Sequence, residues 1–206
     1  KMKKILIIRN DKVGDMILAT PVFREIKKAL PESQITVVCS KANLPIIEKN
    51  KNVDKIIVMS SQIQKNLKSI LEYYSVSKKI KREHFDIGID LRGSKMNAYF
   101  LLYLSKIKER ISFTNYHNTS KFLTKSIKFK YYYNKHSSLQ NLDLINLTLN
   151  ISAKNNFPEI HIDKYDENLA KKFIEESNLK NFMCISPGGN YGKWKYYDFL
   201  IKYLSE

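Results

Sequence analysis

The start of the chain carries the pattern that most restricts the fold, because apolar runs there alternate with an amphipathic segment. Residues 5–8 form an uninterrupted apolar run, and a polar stretch at 10–14 follows it. Residues 15–29 then place apolar side chains at helical spacing, and Pro31 ends this segment before a second apolar run at 35–38. This order predicts a βαβ unit, whose parallel strands need a right-handed crossover.

The same alternation continues through the middle of the chain. The further predicted elements are helices at 44–48, 63–82 and 96–104 and strands at 55–58, 85–91 and 110–113. Strands that alternate with helices indicate an open, mostly parallel sheet with helices on both faces. We therefore expect an α/β fold of the Rossmann-like type.

The remaining part of the chain is less regular at first. The segment 116–136 is basic and aromatic, and its composition suits either a loop or an edge hairpin. The predicted elements that follow are helices at 138–149 and 167–177 and a strand at 182–185. A linker that contains Pro158 separates the two helices, so we expect a first domain over 1–157. Residues 158–206 would then be the linker and the start of a truncated second domain.

The charge of the chain predicts an anionic partner. The sequence contains 36 Lys and Arg against 20 Asp and Glu, a formal net charge of +16. Nucleic acid, an anionic lipid surface and a phosphorylated substrate would each suit such a charge. A lysine-rich, solvated surface is an equally good explanation, so charge alone does not choose among them.

Cysteines and apolar runs indicate the compartment. Cys39 and Cys184 each lie in or beside an apolar run, which predicts buried free thiols and a reducing cytoplasm. No apolar run approaches the ~18 residues of a spanning helix, so any membrane contact is expected to be peripheral. The four histidines show no ligand spacing, and no metal site is predicted.

The loop from Arg9 to Asp15 is a candidate site because of its position. It joins the first strand to the first helix, and open α/β sheets bind ligands at the carboxyl ends of their strands. Its single glycine, Gly14, fits neither the GxGxxG nor the Walker pattern, so a dinucleotide is not expected. Asp15 suits two roles, a helix cap that accepts backbone N–H bonds or a catalytic carboxylate.

A long ordered match to a known family begins in this loop. Residues 9–27, RNDKVGDMILATPVFREIK, resemble the opening signature of the ADP-heptose:lipopolysaccharide heptosyltransferase family, R-x-D-x-[IV]-G-D followed by L-x-[TS]-P. Residues 86–93 resemble the family's D-x-x-[IV]-D-L-[RQ]-G strand and turn, and 136–149 resemble its H-x-x-x-x-N-L helix. Residues 185–189, with Lys193 and Trp194, are similar to the start of its donor-binding domain.

The resemblance implies a GT-B architecture, in which two Rossmann-like domains enclose an active-site cleft. It implies that Asp15 is the general base of an inverting transfer from a nucleotide sugar, ADP-heptose or a related donor, without cofactor or metal. The helix N-terminus and the nearby Arg9 and Lys12 favour the ionised carboxylate. Its strength as a base would then depend on desolvation when the acceptor binds.

The resemblance also implies residues that bind the donor. They are Gly188 and Gly189, whose loop can present N–H groups to a phosphate, and Lys193 beside the donor diphosphate. The family has two basic residues before the tryptophan, but Gly192 occupies the earlier position here. Lys195 is therefore the expected substitute for Lys193.

The acceptor implied by the family is an anionic lipid-linked saccharide such as the lipopolysaccharide inner core. The residues expected to bind it are Arg9, Lys12, Gly14, Asp90, Arg92, Gly93 and Lys95. Two of them have structural alternatives. Asp90 can cap the turn that follows it, and Arg92 can pair with Asp90 or Asp86.

Other functions remain open at this level. A nucleic-acid-binding module would explain the charge, but no RRM, OB or helix-turn-helix signature is visible, so we expect no nucleic acid. A non-catalytic carbohydrate-binding domain would keep the sheet and lose turnover. The stretch 121–135 suits contact with the anionic inner face of the cytoplasmic membrane or a solvated edge hairpin. Without most of a donor site, this chain alone is expected to be inactive.

Overall fold

The computed structural model describes residues 2–60, 67–114, 119–128, 135–180, 182–184 and 196–205. The chain forms two compact units, Lys1–Ile162 and Asp163–Glu206. The sequence analysis placed the boundary after residue 157. The larger unit contains the sheet and the Arg9–Asp15 loop.

The sheet of the larger unit is entirely parallel in its described strands. Its strands are β1 Lys4–Arg9, β2 Gln34–Ser40, β3 Lys55–Met59, β4 Ile87–Asp90, β5 Glu109–Thr114 and β6 Lys125–Lys128. They lie in the order β3-β2-β1-β4-β5-β6. This is the strand order of a doubly wound dinucleotide-binding fold, so the predicted α/β class is confirmed.

Helices connect these strands. They are α1 Val13–Ile17, α2 Thr20–Ala29, α3 Leu44–Ile47, α4 Leu67–Glu83, a π-helix Asn97–Tyr103, a 3-10 helix Ser120–Phe122, α5 Ser137–Leu149, α6 Lys164–Glu176 and α7 Tyr197–Ser205. The single helix predicted at 15–29 is wrong, because α1 ends before α2 begins. Pro21 has no amide hydrogen to continue the helical ladder, and the Thr20 hydroxyl donates instead to the Ile17 carbonyl at 2.8 Å.

Two other elements differ from the sequence prediction. The helix predicted at 96–104 is a π-helix, which the apolar pattern does not distinguish from an α-helix. In the segment 116–136, considered as a loop or an edge hairpin, residues 125–128 form β6, which pairs in parallel with β5; a second arm at 129–134 would lie outside the described residues. Backbone and hydroxyl bonds between Arg110 and Thr124 start this pairing at the beginning of β5.

Two apolar layers cover the two faces of the sheet. Ile5 and Ile7 of β1 point to the layer formed by α2 and α5, whereas Leu6 and Ile8 point to the layer of α4 and the π-helix. All four side chains are fully buried. At Gly88 of β4 an added Cβ would lie 2.6 Å from Leu102 Cδ2, so the glycine lets the π-helix pack closely.

The smaller unit contains α6 and α7. Asp163 and Asp166 form a capping box at the start of α6, and no residue of α6 is buried. Cys39 is buried as predicted, but the prediction for Cys184 is wrong, because this thiol is exposed. The described residues around it provide no core to cover it.

Residues 182–184 have no strand assignment, and the rest of the predicted strand lies outside the described residues. Within the described ranges, no helix is long and apolar enough to cross a membrane.

Candidate active site

The candidate site lies where the strand order of the sheet reverses. β1 and β4 are neighbours there, with Ile8 beside Asp90. The loops after the two strands therefore emerge side by side at the carboxyl edge of the sheet, at the position where doubly wound folds bind ligands. The structure brings the Arg9–Asp15 loop and residues 91–95 together, as the sequence predicted.

Arg9, the last residue of β1, organises the first loop. Its side chain is about one-tenth exposed, and Nη2 lies 2.9 Å from Asp15 Oδ1. Its Nε lies 3.0 Å from Asp11 Oδ1, and Nη1 donates to the carbonyl of Leu91 in the neighbouring loop. The guanidinium therefore holds Asp15 and the neighbouring loop and lies beside Asp11. The role of Arg9 in direct acceptor binding stays a prediction.

Asp15 lies in the first turn of α1 and faces solvent. Its side chain is 36% exposed. The residue at the N-cap is Lys12, and no side chain caps the helix. The alternative that Asp15 is a cap is therefore wrong. Arg9 holds one carboxylate oxygen, while Oδ2 has no hydrogen-bond or ion-pair partner in the described part of the chain.

Asp11 is a second carboxylate on the same guanidinium, and the sequence analysis gave it no role. Its side chain is 14% exposed. Burial raises the pKa of Asp11, and the neighbouring Asp15 charge raises it further, against the opposing effects of Arg9 and Arg92. Desolvation is the largest of these effects. Two acidic groups of different environment therefore share one arginine.

Asp90 is fully buried at the end of β4. Its carboxylate accepts backbone N–H bonds from Arg92 at 3.2 Å and Ser94 at 2.9 Å. It also accepts bonds from Asn97 Nδ2 at 2.9 Å and Ser112 Oγ at 3.1 Å. Burial raises the pKa of Asp90. The alternative that Asp90 caps the turn is confirmed by the Arg92 and Ser94 bonds, and its expected contact with an acceptor stays a prediction.

A buried network of polar side chains holds the Arg9–Asp15 loop through Asn10. Asn97 Nδ2 donates to Asn10 Oδ1 at 3.1 Å, and Tyr73 donates to Asn97 Oδ1 at 3.0 Å. Burial raises the pKa of Tyr73 to about 12, so its hydroxyl remains a donor at neutral pH. The sequence places Asn10 in the candidate loop and Asn97 shortly after Arg92. Tyr73 was missed, because it belongs to none of the recognised motifs.

Three cations lie on the two loops that border the opening beside Asp15, which are the loops after β1 and β4. Lys12 and Lys95 are exposed, and Arg92 is half-buried. None of these side chains has a hydrogen-bond or ion-pair partner among the residues described. The alternative of an ion pair from Arg92 to Asp90 or Asp86 is therefore wrong. The charge of Arg92 does reach Asp11, since it lowers the pKa of that carboxyl.

Two glycines of the predicted acceptor site differ in their surroundings. Gly14 is exposed, and a Cβ added to it would meet no atom within 4 Å. Gly93 is buried in the turn after β4 and has a φ of 71°, which favours glycine. Gly93 therefore shapes the turn, whereas Gly14 leaves open space beside Asp15.

The predicted donor-binding residues Gly188, Gly189, Lys193 and Lys195 lie outside the described residues. They stay predictions. Where the structure is described, no group of three or more His, Cys, Asp and Glu side chains is arranged to hold a metal ion.

The chain is similar in sequence to known glycosyltransferases. A family model described as glycosyltransferase family 9 (heptosyltransferase) matches residues 73–201. The chain is 27% identical to lipopolysaccharide heptosyltransferase 3 of Escherichia coli over 113 residues, which are 55% of this chain and 33% of that protein.

Two solved structures share the fold. A family 9 glycosyl transferase from Veillonella parvula has a TM-score of 0.78 at 23% identity, over 96% of this chain and 57% of that one. The ADP-heptose lps heptosyltransferase II of E. coli has a TM-score of 0.74 at 17% identity, over 98% of this chain and 61% of that one. The chain thus matches less than two thirds of each of these relatives. The Rossmann-like, GT-B-type fold class is confirmed.

Proposed function

The chain belongs to glycosyltransferase family 9, the heptosyltransferase family, and on that premise we propose that it forms the acceptor side of an inverting transferase. The donor would be ADP-heptose or a related nucleotide sugar. The acceptor would be an anionic lipid-linked saccharide such as the lipopolysaccharide core. The names of the relatives support this choice, since they specify lipopolysaccharide and ADP-heptose.

The proposed reaction is a single displacement with Asp15 as general base. The free Oδ2 of Asp15 takes the proton of an acceptor hydroxyl. The acceptor oxygen forms a bond to the anomeric carbon of the donor, and the bond from that carbon to the diphosphate breaks. The nucleoside diphosphate leaves with the bonding electrons, and the anomeric configuration inverts. The mechanism needs no metal.

Arg9 defines which oxygen of Asp15 can react. Its Nη2 lies 2.9 Å from Oδ1, so the carboxylate is held in one orientation while Oδ2 faces the opening. We expect the acceptor to displace water from Oδ2 and so to strengthen the interaction between the carboxylate and the acceptor hydroxyl.

Lys12, Arg92 and Lys95 are the proposed contacts of the acceptor's anionic groups. They lie on the two loops that border the opening, and none is neutralised by a described carboxylate. Arg92 can bind a phosphate through two parallel N–H bonds, whereas the lysines act as point charges. With an acceptor of this kind, the reaction would occur at the cytoplasmic face of a membrane.

One observation carries the proposal: a partly exposed carboxylate with one oxygen fixed and one free lies at the carboxyl edge of the sheet. The test is Asp15→Asn in the complete gene product. We expect sugar transfer to fall by about 10²–10⁴-fold, which is the usual contribution of a general base. Donor binding, measured by calorimetry, should be unchanged.

The matched control is Asp54→Asn. Asp54 has the same 36% side-chain exposure and also pairs with a cation, Lys27 at 2.8 Å. It precedes β3 and therefore lies at the opposite edge of the sheet. Transfer by this control should stay within about twofold of the unmodified protein, since surface ion pairs contribute little. Near-normal transfer by the Asp15→Asn protein would exclude Asp15 as the base.

A further inference from the structure

Helix α4 exposes an apolar stripe that its own core contacts do not explain. Four large side chains at helical i, i+3, i+4 and i+7 spacing are exposed: Leu67 72%, Ile70 44%, Leu71 59% and Tyr74 48%. A separate set on the same helix is buried against the sheet, namely Ser69, Tyr73, Val76, Ser77 and Ile80. The helix therefore has one apolar side for the core and a second that faces solvent.

The charge of α4 indicates what covers this stripe. Lys78 Nζ lies 4.5 Å from the centre of the Tyr74 ring, and Lys81 and Arg82 continue the exposed side toward the end of the helix. The acidic Glu72 is bonded to the backbone N–H of Ser60 at 2.6 Å. An apolar stripe bordered by cations suits an anionic lipid surface, where apolar groups enter the interface and lysines meet the headgroups.

The position of the stripe relates it to the candidate site. Tyr73 lies in the same turn as Tyr74 but faces inward, and its hydroxyl is 3.2 Å from Asn10 Nδ2 in the loop that precedes Asp15. The beginning of α4 is thus held at the carboxyl edge of the sheet. A surface that binds the stripe would therefore lie toward the same edge of the sheet as Asp15, on the face that α4 covers.

The basic and aromatic residues 121–122 are less suitable for this contact. The Phe122 ring packs against Tyr99 and Tyr103, with centroids 5.1 and 5.5 Å away. Its carbonyl accepts a bond from Arg110 at the start of β5. These residues therefore lie at the amino-terminal edge of the sheet, away from Asp15.

We propose that Leu67, Ile70, Leu71 and Tyr74 insert into an anionic bilayer surface and hold the Asp15 opening at the headgroups. This inference rests on the proposed function, because membrane binding would bring the site to a lipid-linked acceptor. The physical basis is independent of catalysis. It is the combination of exposed apolar area, adjacent cations and attachment to the site loop.

The test is co-sedimentation of the complete protein with vesicles of phosphatidylglycerol and phosphatidylethanolamine, without donor or acceptor. The unmodified protein should bind these vesicles and bind pure phosphatidylcholine vesicles far more weakly. Leu67→Gln combined with Leu71→Gln should weaken vesicle binding at least about tenfold, because the apolar surface of two leucines is no longer transferred from water into the bilayer. Leu147→Gln is the control, since Leu147 is a 74% exposed leucine on another helix.

Other measurements keep this result distinct from the transferase proposal. Circular dichroism should show an intact fold in each variant. The Asp15→Asn protein should bind vesicles normally, and the double leucine variant should still transfer sugar to a water-soluble, delipidated acceptor. Equal vesicle binding by the double variant and the unmodified protein would overturn the inference. The inference would also be overturned if the unmodified protein were a dimer that does not bind vesicles and the double variant were a monomer. The stripe would then be a self-association surface.

Discussion

The guanidinium of Arg9 and the carboxylate of Asp15 are joined at 2.9 Å, from the buried end of a strand to the exposed first turn of a helix. The same guanidinium bonds the Leu91 carbonyl of the neighbouring loop. One side chain thus couples the two loops that form the candidate site. The orientation of Asp15 therefore depends on a mostly buried arginine at the end of β1.

Arg9→Lys should reduce transfer without preventing folding. A lysine has one ammonium group and cannot reach both carboxylates and the Leu91 carbonyl at once. Asp15 would then be held less well, and misplacement of a reacting group by about 1 Å can lower kcat on the order of 10²-fold. We expect a decrease of this size. The control is Arg24→Lys, because Arg24 also bridges several protein groups, including Glu159 at 2.7 Å, but lies outside the site loops. Similar kcat values for the two variants would contradict a positioning role for Arg9.

Asp11→Asn should change the pH dependence of stability. Because the folded-state pKa of Asp11 is raised, mainly by burial, its stabilising contribution is present below the unfolded pKa. That contribution is lost as the pH rises through the folded value. The asparagine variant lacks this loss. Its free energy of unfolding relative to the unmodified protein should therefore increase between pH 4 and pH 7, as measured by urea denaturation. The opposite trend would show that the charge of Arg9, and not desolvation, dominates the pKa of Asp11.

Gly14→Ala separates stability from acceptor binding. The added methyl group meets no atom within 4 Å, and alanine in a helix is favoured over glycine by about 0.5–1 kcal/mol. Stability should therefore stay equal or rise. If the acceptor occupies the open space beside Asp15, its KM should increase several-fold. Gly93→Ala is the contrasting case, because its φ of 71° makes a side chain unfavourable, and it should lower stability by about 1–2 kcal/mol.

The sequence predicted β1 to β5 because their apolar runs end at recognisable turns, whereas β6, with the sequence KSIK, has no apolar run and was not predicted. It also placed Asp15 at the carboxyl edge, since that position follows from chain order within a βαβ unit. The bonds among Asn10, Tyr73 and Asn97 were not predictable in this way. These residues are separated by 63 and 24 positions, and only the assembled layers bring them together.

The sequence also did not reveal the direction in which the Arg9 side chain points. An arginine after a buried strand suits a solvent-facing role, and the family resemblance implied one. Strand alternation places Arg9 on the same side as Ile5 and Ile7, and its guanidinium lies against Asp11, Asp15 and the Leu91 carbonyl. The break between α1 and α2 was more accessible, because Pro21 marks it in the sequence.

Asp90→Asn should destabilise the protein although it removes a buried charge. The carboxylate accepts two backbone N–H groups, from Arg92 and Ser94, through different oxygens. Asparagine has one side-chain oxygen, so its NH2 group must replace the other carboxylate oxygen. One backbone N–H group, together with the Asn97 or Ser112 side chain that bonds the same oxygen, would then face this NH2 group. Unsatisfied buried donors cost about 1–3 kcal/mol each, so we expect a loss of about 2–4 kcal/mol by urea denaturation. The control is Asp86→Asn, since Asp86 accepts the Lys4 N–H through one oxygen that asparagine retains. Equal stability of the two variants would contradict the bonding assigned to Asp90.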